Sequence, residues 1–200
     1  MNRHRKRVEV ALSLVAFMLW TRGEARAGEP LDLVKPAVDK VFQVLGDPQL
    51  KTPEKKKARV ERLKEVVNPI FDYDEMARRS LGQHWRRRTP AEQEEFTRLF
   101  RAFLEKIYSE KVDLYSGEKI VFGRETVDGD FAQVESVVIN AKKEQTPVIF
   151  RLWRSGGKWK IYDAVVENIS IVNNYRAQFE RVISKSSYED LKKMLKEKAG

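Results

Sequence analysis

The sequence contains no cysteine, and of its two histidines only His84 lies beyond residue 27. The absence of cysteine excludes disulfides, thiol nucleophiles and thiolate metal ligands. A lone histidine cannot form a multi-histidine zinc site, and the sequence has neither a G-x-S-x-G nor an H-E-x-x-H motif. The glycine pair Gly156-Gly157 lies between strand-like segments rather than before a helix, so it is no phosphate loop. We therefore expect no metal, no cofactor, no catalytic residue and no enzymatic activity.

The sequence also lacks an apolar run of the roughly twenty residues that a membrane-spanning helix needs. A shorter run, Val10–Trp20, follows a basic start at Arg3–Arg7 and precedes the small-x-small triplet Ala25–Ala27. This order is typical of a secretory signal peptide. We expect residues 1–27 to be cleaved near Ala27 and residues 28–200 to leave the cytoplasm; a buried N-terminal helix is the alternative.

Positive charge is concentrated at the start of the chain. The whole sequence has a formal charge of +9, and removing residues 1–27 takes away six basic and two acidic side chains, leaving +5. This moderate excess favours acidic partners or anionic lipid surfaces, and we expect no nucleic-acid partner. The remaining 173 residues suffice for a single domain with its own hydrophobic core.

Residues 28–115 are predicted to be mainly helical. The segment Thr89–Glu92 combines an N-cap threonine, a proline at the first helical position and a glutamate at the third, and Thr52–Pro53 resembles its first half. A related start at Asp72–Glu75 opens a short helix that ends at Gly82. The long helix after Thr89 has a continuous apolar face made of Phe96, Leu99, Phe100, Phe103, Leu104, Ile107 and Tyr108.

The apolar period falls towards two within residues 116–168, which predicts four antiparallel strands in a meander. Alternation along the last strand places four residues on one face: Trp159, Ile161, Asp163 and Val165. Residues 169–200 return to helical spacing, and Ser187 is the predicted N-cap of the final helix. Because helices are segregated from an antiparallel sheet, the expected class is α+β.

The chain is rich in large apolar side chains on both the predicted long helix and the predicted sheet. One interpretation is a closed core, since a curved sheet around a helix needs aromatic groups to fill the space. The other is an apolar cavity left where helix and sheet do not close. Periodicity alone does not separate these two interpretations.

Arginines form the densest basic cluster beyond residue 27, at Arg78, Arg79, Arg86, Arg87 and Arg88. Such a run is often only a solvated surface. The functional interpretation is a docking patch for an acidic partner or for lipid phosphates, because guanidinium groups bind carboxylate and phosphate with two parallel hydrogen bonds.

Three blocks of this sequence resemble the periplasmic phospholipid carriers of the Mla pathway, also known as the toluene-tolerance auxiliary transport family. The first block is Phe71–Arg78 with Leu81-Gly82 and Trp85-Arg86, and the second is Thr89–Gln93 with Phe96, Phe100, Leu104 and Tyr108. The third is Trp159–Asp163 followed by Val165–Glu167, Ser170, Val172, Asn174–Arg176 and Gln178-Phe179. Two departures are Asn168, where the family often has glycine, and the heavy arginine run after Trp85.

The resemblance implies a fold and a role. The fold would be a strongly curved antiparallel sheet of the nuclear-transport-factor-like type, wrapped by helices with a small helical lobe. The role would be to carry glycerophospholipid through the periplasm between an outer-membrane lipoprotein complex and an inner-membrane ABC transporter with a ring-forming lipid-binding domain. Such a carrier would maintain outer-membrane lipid asymmetry, and we expect it to be a monomer.

A soluble carrier of this kind must enclose the acyl tails of its lipid. Two chains of about sixteen carbons expose roughly thirty methylenes, which at about 0.8 kcal/mol each would cost on the order of 25 kcal/mol in water. Which strand face points inwards depends on register, since a shift of one residue exchanges the two faces. The predicted lipid-binding residues are Phe96, Phe100, Phe103, Leu104, Tyr108, Phe122, Val138, Phe150, Ile161, Val165, Val172 and Tyr175.

Three alternatives remain open at the level of sequence. The same fold accommodates a hopanoid or another apolar lipid as cargo. A protein-docking module without lipid would instead have a closed core and a large exposed apolar patch. An enzyme would use Asp163 or His84 within the pocket, with a strongly shifted pKa, although a strand-end aspartate more often binds backbone N–H groups.

Overall fold

The computed structural model describes residues 29–200, so the predicted signal peptide at residues 1–27 lies outside the described part of the chain. Its α-helices are α1 (Glu29–Gly46), α2 (Lys56–Val67), α3 (Tyr73–Leu81), α4 (Pro90–Glu110), α5 (Ile171–Lys185) and α6 (Tyr188–Ala199). Short 3₁₀ segments lie at Pro48–Leu50, Pro53–Lys55, Gly82–Arg87 and Val112–Leu114. Within residues 29–200, no helix combines the length and apolar composition needed to cross a bilayer.

The strands are β1 (Lys119–Asp128), β2 (Phe131–Ile139), β3 (Gln145–Ser155), β4 (Lys158–Val166) and β5 (Ile169–Ser170). They form one antiparallel sheet in the order β1-β2-β3-β4-β5, a meander that does not close into a barrel. The α+β prediction is confirmed. The sequence predicted four strands, whereas the structure adds β5, because residues 169 and 170 continue hydrogen bonding to the end of β4 before α5 begins.

A β-bulge in β4 places Asp163 on a different sheet face from the one that the sequence predicted. Ile161 pairs with Leu152, but Asp163 pairs with Arg151, so Tyr162 is an extra residue and the alternation is interrupted. Ile161 therefore lies on the sheet face that carries Leu152, while Asp163 and Val165 lie on the opposite face. The prediction that Trp159, Ile161, Asp163 and Val165 share one face is wrong, because simple alternation does not anticipate a bulge.

The helix signals of the sequence are largely reproduced. The Thr89 side chain accepts a hydrogen bond from the Glu92 N–H, and the Glu92 carboxylate accepts one from the Thr89 N–H, which completes a capping box. Asp72 caps α3 and Ser187 caps α6. Thr52 makes no side-chain cap, and α2 begins only at Lys56. Asn168 adopts a φ of 65°, the left-handed conformation that asparagine tolerates better than most residues.

Most of the buried apolar side chains of residues 29–200 form two clusters. The helical core joins α3, α4, α5 and α6, and consists of Met76, Ala77, Leu81, Phe96, Leu99, Phe100, Phe103, Leu104, Val172, Phe179, Tyr188, Leu191 and Leu195. The sheet core lies between α1 and one sheet face, and consists of Val34, Ala132, Val134, Leu152, Trp159 and Ile161. Phe71 packs against both cores. It also forms a bridge to Ile161 beside β4, where the Asp72 N–H donates to the Ile161 carbonyl at 2.8 Å. The helical part is thereby attached to the sheet.

Candidate functional site

A cleft of about 850 Å³ lies between α3, the 3₁₀ segment Gly82–Arg87, strands β3 and β4 and the first turns of α5. We call it the arginine cleft. Six of its lining residues are arginines, drawn from four separate stretches of the chain. The full lining is Arg78, Arg79, Gly82, Gln83, Trp85, Arg86, Arg87, Arg151, Tyr162, Asp163, Val172, Asn173 and Arg176.

The structure brings together four of the five arginines predicted as a docking patch. Arg88 is the exception, because its guanidinium binds Glu92 at 3.3 Å and lies 4.4 Å from the centre of the Tyr188 ring. Arg151 and Arg176 complete the cleft and were missed by the sequence reasoning. A correct register for β3 would have identified Arg151, but the position of Arg176 depends on how α5 packs.

Two of these arginines are fixed by a buried carboxylate on their own helix. The Glu75 side chain is only 4% exposed and accepts hydrogen bonds from the Nε of Arg78 and the Nε of Arg79, both at 2.6 Å. Burial acts to raise the pKa of Glu75, but the hydrogen bonds from Arg78 and Arg79 outweigh it and hold that pKa below its ordinary value. Glu75 therefore stays charged and holds both guanidinium groups in place.

Arg79 has further support from aromatic rings. Its guanidinium carbon lies 4.1 Å from the centre of the Tyr162 ring and 5.7 Å from that of Phe131. A guanidinium over an aromatic face is attracted by the ring quadrupole and loses side-chain freedom. Arg79 is thus held in position before any ligand arrives.

Asp163 lies at the bottom of the cleft and is 1% exposed. Its Oδ2 accepts hydrogen bonds from the Ser170 hydroxyl at 2.6 Å and from Arg151 Nη1 at 3.3 Å, and its Oδ1 accepts one from the Val172 N–H at 3.0 Å. This is the pattern of an aspartate that joins a strand to a helix start. His84, the other residue of the enzyme alternative, has its Nε2 2.9 Å from Glu180 Oε2.

The twelve predicted lipid-binding residues are not gathered into one surface. Five belong to the helical core and a sixth packs against it: Phe96, Phe100, Phe103, Leu104 and Val172, with Tyr175 alongside. Three belong to or pack against the sheet core: Ile161, Phe122 and Phe150. Val138 on β2 is half-buried and Val165 on β4 is buried. Their contact with lipid stays a prediction.

Tyr108 has an unusual environment for a surface residue. Its side chain is 44% exposed, yet burial, and then the nearby Tyr175 and the Asp163 charge, raise the pKa of its phenol. Burial also raises the pKa of Tyr175. Tyr108 on α4 therefore lies near enough to Tyr175 on α5 and Asp163 on β4 to be affected by them.

Apolar side chains are also exposed at one end of the sheet. The antiparallel register places the start of β1, the end of β2, the start of β3 and the end of β4 at this same end. Val121, Val166 and Ile169 lie there with exposed fractions of 56%, 37% and 61%. We call this the open end of the sheet. Val121 lies on the sheet face of Val137 and Pro147, whereas Val166 and Ile169 lie on the face of Val148, so the open end exposes aliphatic groups on both faces.

The described residues offer no obvious metal centre. Within residues 29–200, no group of three or more histidine, aspartate or glutamate side chains is arranged so that it would hold a metal ion.

Comparison with known proteins gives one family match and several related chains. The family model described as "MlaC protein" matches residues 35–197. The intermembrane phospholipid transport system binding protein MlaC of Haemophilus influenzae is 23% identical over 183 residues, which cover 89% of this chain and 85% of that protein. The toluene tolerance protein ttg2D of Pseudomonas putida is 27% identical over 192 residues, which cover 94% of this chain and 86% of that protein.

A solved structure has the same fold. The phospholipid-binding protein from Ralstonia solanacearum, determined at 1.53 Å in complex with a phospholipid, superposes with a TM-score of 0.72 and 25% sequence identity. The match covers 84% of this chain and 95% of that one. The helices and the meander are therefore shared almost throughout that protein's length.

Proposed function

Since the chain belongs to the MlaC protein family, we propose that it binds phospholipid and carries it through the periplasm. The single observation that carries this proposal is the fold shared with a protein whose structure was determined in complex with a phospholipid. The family match over residues 35–197 extends this likeness along nearly the whole chain. The relatives are named for phospholipid transport and for toluene tolerance. The proposed role is binding and transport, and we assign no reaction to Asp163 or His84.

The exposed apolar groups support a lipid ligand on physical grounds. A carrier has to remove two acyl chains from water, at a benefit on the order of 25 kcal/mol. Such a protein needs apolar side chains whose surface is still accessible in the folded protein. Tyr108 and the open end of the sheet provide them.

The twelve proposed contacts fall into two groups by exposure. Tyr108, Tyr175, Phe122, Val138 and Phe150 keep accessible surface, so we propose that they touch the acyl chains directly. The other seven are buried and stand behind them: Phe96, Phe100, Phe103, Leu104, Ile161, Val165 and Val172. We propose that the lipid enters between the helical core and the sheet core.

We further propose the route of the carrier. The predicted signal peptide would export it to the periplasm, where it would exchange lipid with an inner-membrane ABC transporter that has a ring-forming lipid-binding domain, and with an outer-membrane lipoprotein complex. This exchange would maintain the lipid asymmetry of the outer membrane. Docking of these partners on Arg78, Arg79, Arg86, Arg87 and Arg88 stays a prediction, as does the monomeric state.

The first test is native mass spectrometry of the purified protein, followed by solvent extraction and lipid analysis. A bound mass that matches a phospholipid is the expected result. A mass of hopanoid size would keep the carrier but change the cargo. Protein without bound lipid that also takes none from phospholipid vesicles would contradict the proposal and favour a protein-docking module.

A matched pair of variants tests the lining. Phe150→Asp places a charge against the acyl chains on a half-buried strand position, and we expect it to abolish lipid recovery in a folded protein. Leu114→Asp places the same charge at an exposed apolar position in the 3₁₀ segment Val112–Leu114, outside the proposed lining and the arginine cleft, and should leave lipid recovery intact. Equal loss in both variants would count against the proposed lining.

A further inference from the structure

The arginine cleft carries more positive charge than its own carboxylates neutralise. Two buried carboxylates, Glu75 and Asp163, oppose six guanidinium groups, which leaves a formal charge of +4. Three of the arginines, Arg86, Arg87 and Arg176, form no ion pair with any carboxylate of residues 29–200. Because like charges repel, this arrangement costs stability unless an anion is bound.

The paired arginines keep donors for a ligand. Arg79 uses its Nε on Glu75, and Arg151 uses its Nη1 on Asp163. An arginine has five N–H donors in a planar fork, so both side chains retain terminal N–H groups. That fork matches the oxygens of a phosphate, which accept two parallel hydrogen bonds. The contact with Tyr162 fixes Arg79 in advance and lowers the entropy lost on binding.

The shape of the cleft favours a small anion over an acidic protein surface. Its volume of about 850 Å³ lies within the range of small-molecule sites, roughly 300–1,000 Å³. The side chains of Arg79 and Arg151 are only 30% and 32% exposed, so a convex partner would contact the rim and not these two groups. A second cavity of about 470 Å³ has three carboxylates and three basic side chains in its lining, so it shows no such preference.

The cleft adjoins the proposed lipid contacts. Its bottom is formed by Asp163 and Val172, and Val172 belongs to the helical core against which Tyr175 packs. We propose that the arginine cleft binds the phosphate of the carried lipid's headgroup and so selects phospholipids of net negative charge over zwitterionic ones. A zwitterionic headgroup would bring its own cation into a field of +4, whereas an anionic one would not. The inference rests on the proposed carrier function.

The test offers the purified protein vesicles that contain equal amounts of phosphatidylglycerol and phosphatidylcholine with identical acyl chains. Native mass spectrometry then measures the ratio of the two lipids bound. We expect phosphatidylglycerol to be enriched about tenfold, the factor that roughly one charge-assisted hydrogen bond supplies. The double variant Arg86→Gln/Arg176→Gln should bring the ratio close to unity among the lipid molecules that are still bound. Both residues are exposed, so the variant should fold.

The matched control is Arg181→Gln, an exposed arginine on the same helix as Arg176 that does not line the cleft. It should keep the wild-type ratio. A ratio near unity in the wild type, with lipid bound, would overturn the headgroup site while leaving the carrier function intact. No phospholipid of either class in the wild type would overturn both.

Two further measurements distinguish a lipid headgroup in the cleft from free phosphate and from an acidic protein. Calorimetric titration of the lipid-loaded protein with inorganic phosphate should show no binding, because the headgroup occupies the cleft. Binding of phosphate that depends on Arg176, together with an unselective lipid ratio, would assign the cleft to a free anion and overturn the proposal. The proposal would also be overturned if the wild-type protein bound the two lipids in equal amounts and the double variant no longer bound to a membrane partner protein. That result would assign the cleft to an acidic protein.

Discussion

The Asp163 carboxylate accepts a hydrogen bond from the backbone N–H of Val172 at 3.0 Å, which attaches β4 to the first turn of α5. The same carboxylate also accepts from Ser170, the residue that caps this helix. Asp163 thus fixes the angle at which α5 leaves the sheet. Because Val172 and Arg176 lie on that helix, Asp163 positions both the helical core and one side of the arginine cleft.

Replacing Asp163 with asparagine should therefore destabilise the fold. The asparagine NH₂ group is a donor, whereas Asp163 Oδ2 accepts hydrogen bonds from the Ser170 hydroxyl and from Arg151. The substitution also leaves Arg151 without its charged partner. Breaking a buried ion pair in this way costs about 3–5 kcal/mol. We expect a loss of that size in urea unfolding, whereas Asp74→Asn, at an exposed aspartate in the first turn of α3, should change stability by less than about 0.5 kcal/mol. A stable Asp163→Asn protein that binds lipid yet loses function in the cell would revive the enzyme alternative.

Glu75 should make stability depend on pH in the acidic range. Its pKa in the folded protein is below the ordinary value of 4.5, so the folded state binds its proton later than the unfolded state does. The stabilisation is fully present above the unfolded pKa and is lost as pH falls through the folded one. The difference in unfolding free energy between wild type and Glu75→Gln should be constant near neutral pH and shrink below about pH 4.5. Urea titrations at several pH values measure it, and a difference that does not change with pH would contradict this role.

Gly82 ends α3 in a conformation that suits only glycine, with φ of 58° and ψ of −129°. An added Cβ would also lie 3.0 Å from the Nε of Arg176, although that flexible side chain can move aside. Gly82→Ala should cost about 1–3 kcal/mol, chiefly through backbone strain. Gly123→Ala is the control, because its Cβ would meet Glu135 only at ordinary contact distance. Thermal unfolding of both variants measures the contrast, and an equal effect would show that strain at Gly82 is not the cause.

The two Thr-Pro sequences offer a matched pair for helix capping. Thr89 accepts a hydrogen bond from the Glu92 N–H, whereas Thr52 makes no side-chain cap. Thr89→Ala should lower the free energy of unfolding by about 1 kcal/mol. Thr52→Ala should change it by less than about 0.5 kcal/mol. Chemical denaturation of both variants measures the difference, and a larger loss at Thr52 would contradict this assignment of the caps.

The arginine cleft was only partly predictable. Arg78, Arg79, Arg86 and Arg87 lie within ten residues of one another, so their density is visible in the sequence. Arg151 and Arg176 reach the same cleft through the pairing of β3 with β4 and through the packing of α5. Arg88 belongs to the same run but is drawn away by Glu92 and Tyr188. Which members of a charged run share a surface depends on partners distant in the chain.

The sequence by itself determined the α+β class, the order of helices and meander, and the caps at Asp72, Thr89 and Ser187, because these follow from periodicity and from contacts within a few residues. The tertiary structure decided the faces of β4, where the bulge at Tyr162 separates Ile161 from Asp163. It also decided the composition of the arginine cleft and the division of the apolar residues between two cores. The physical reason is that register and helix packing are set by long-range contacts, and a shift of one residue exchanges what a strand buries for what it exposes.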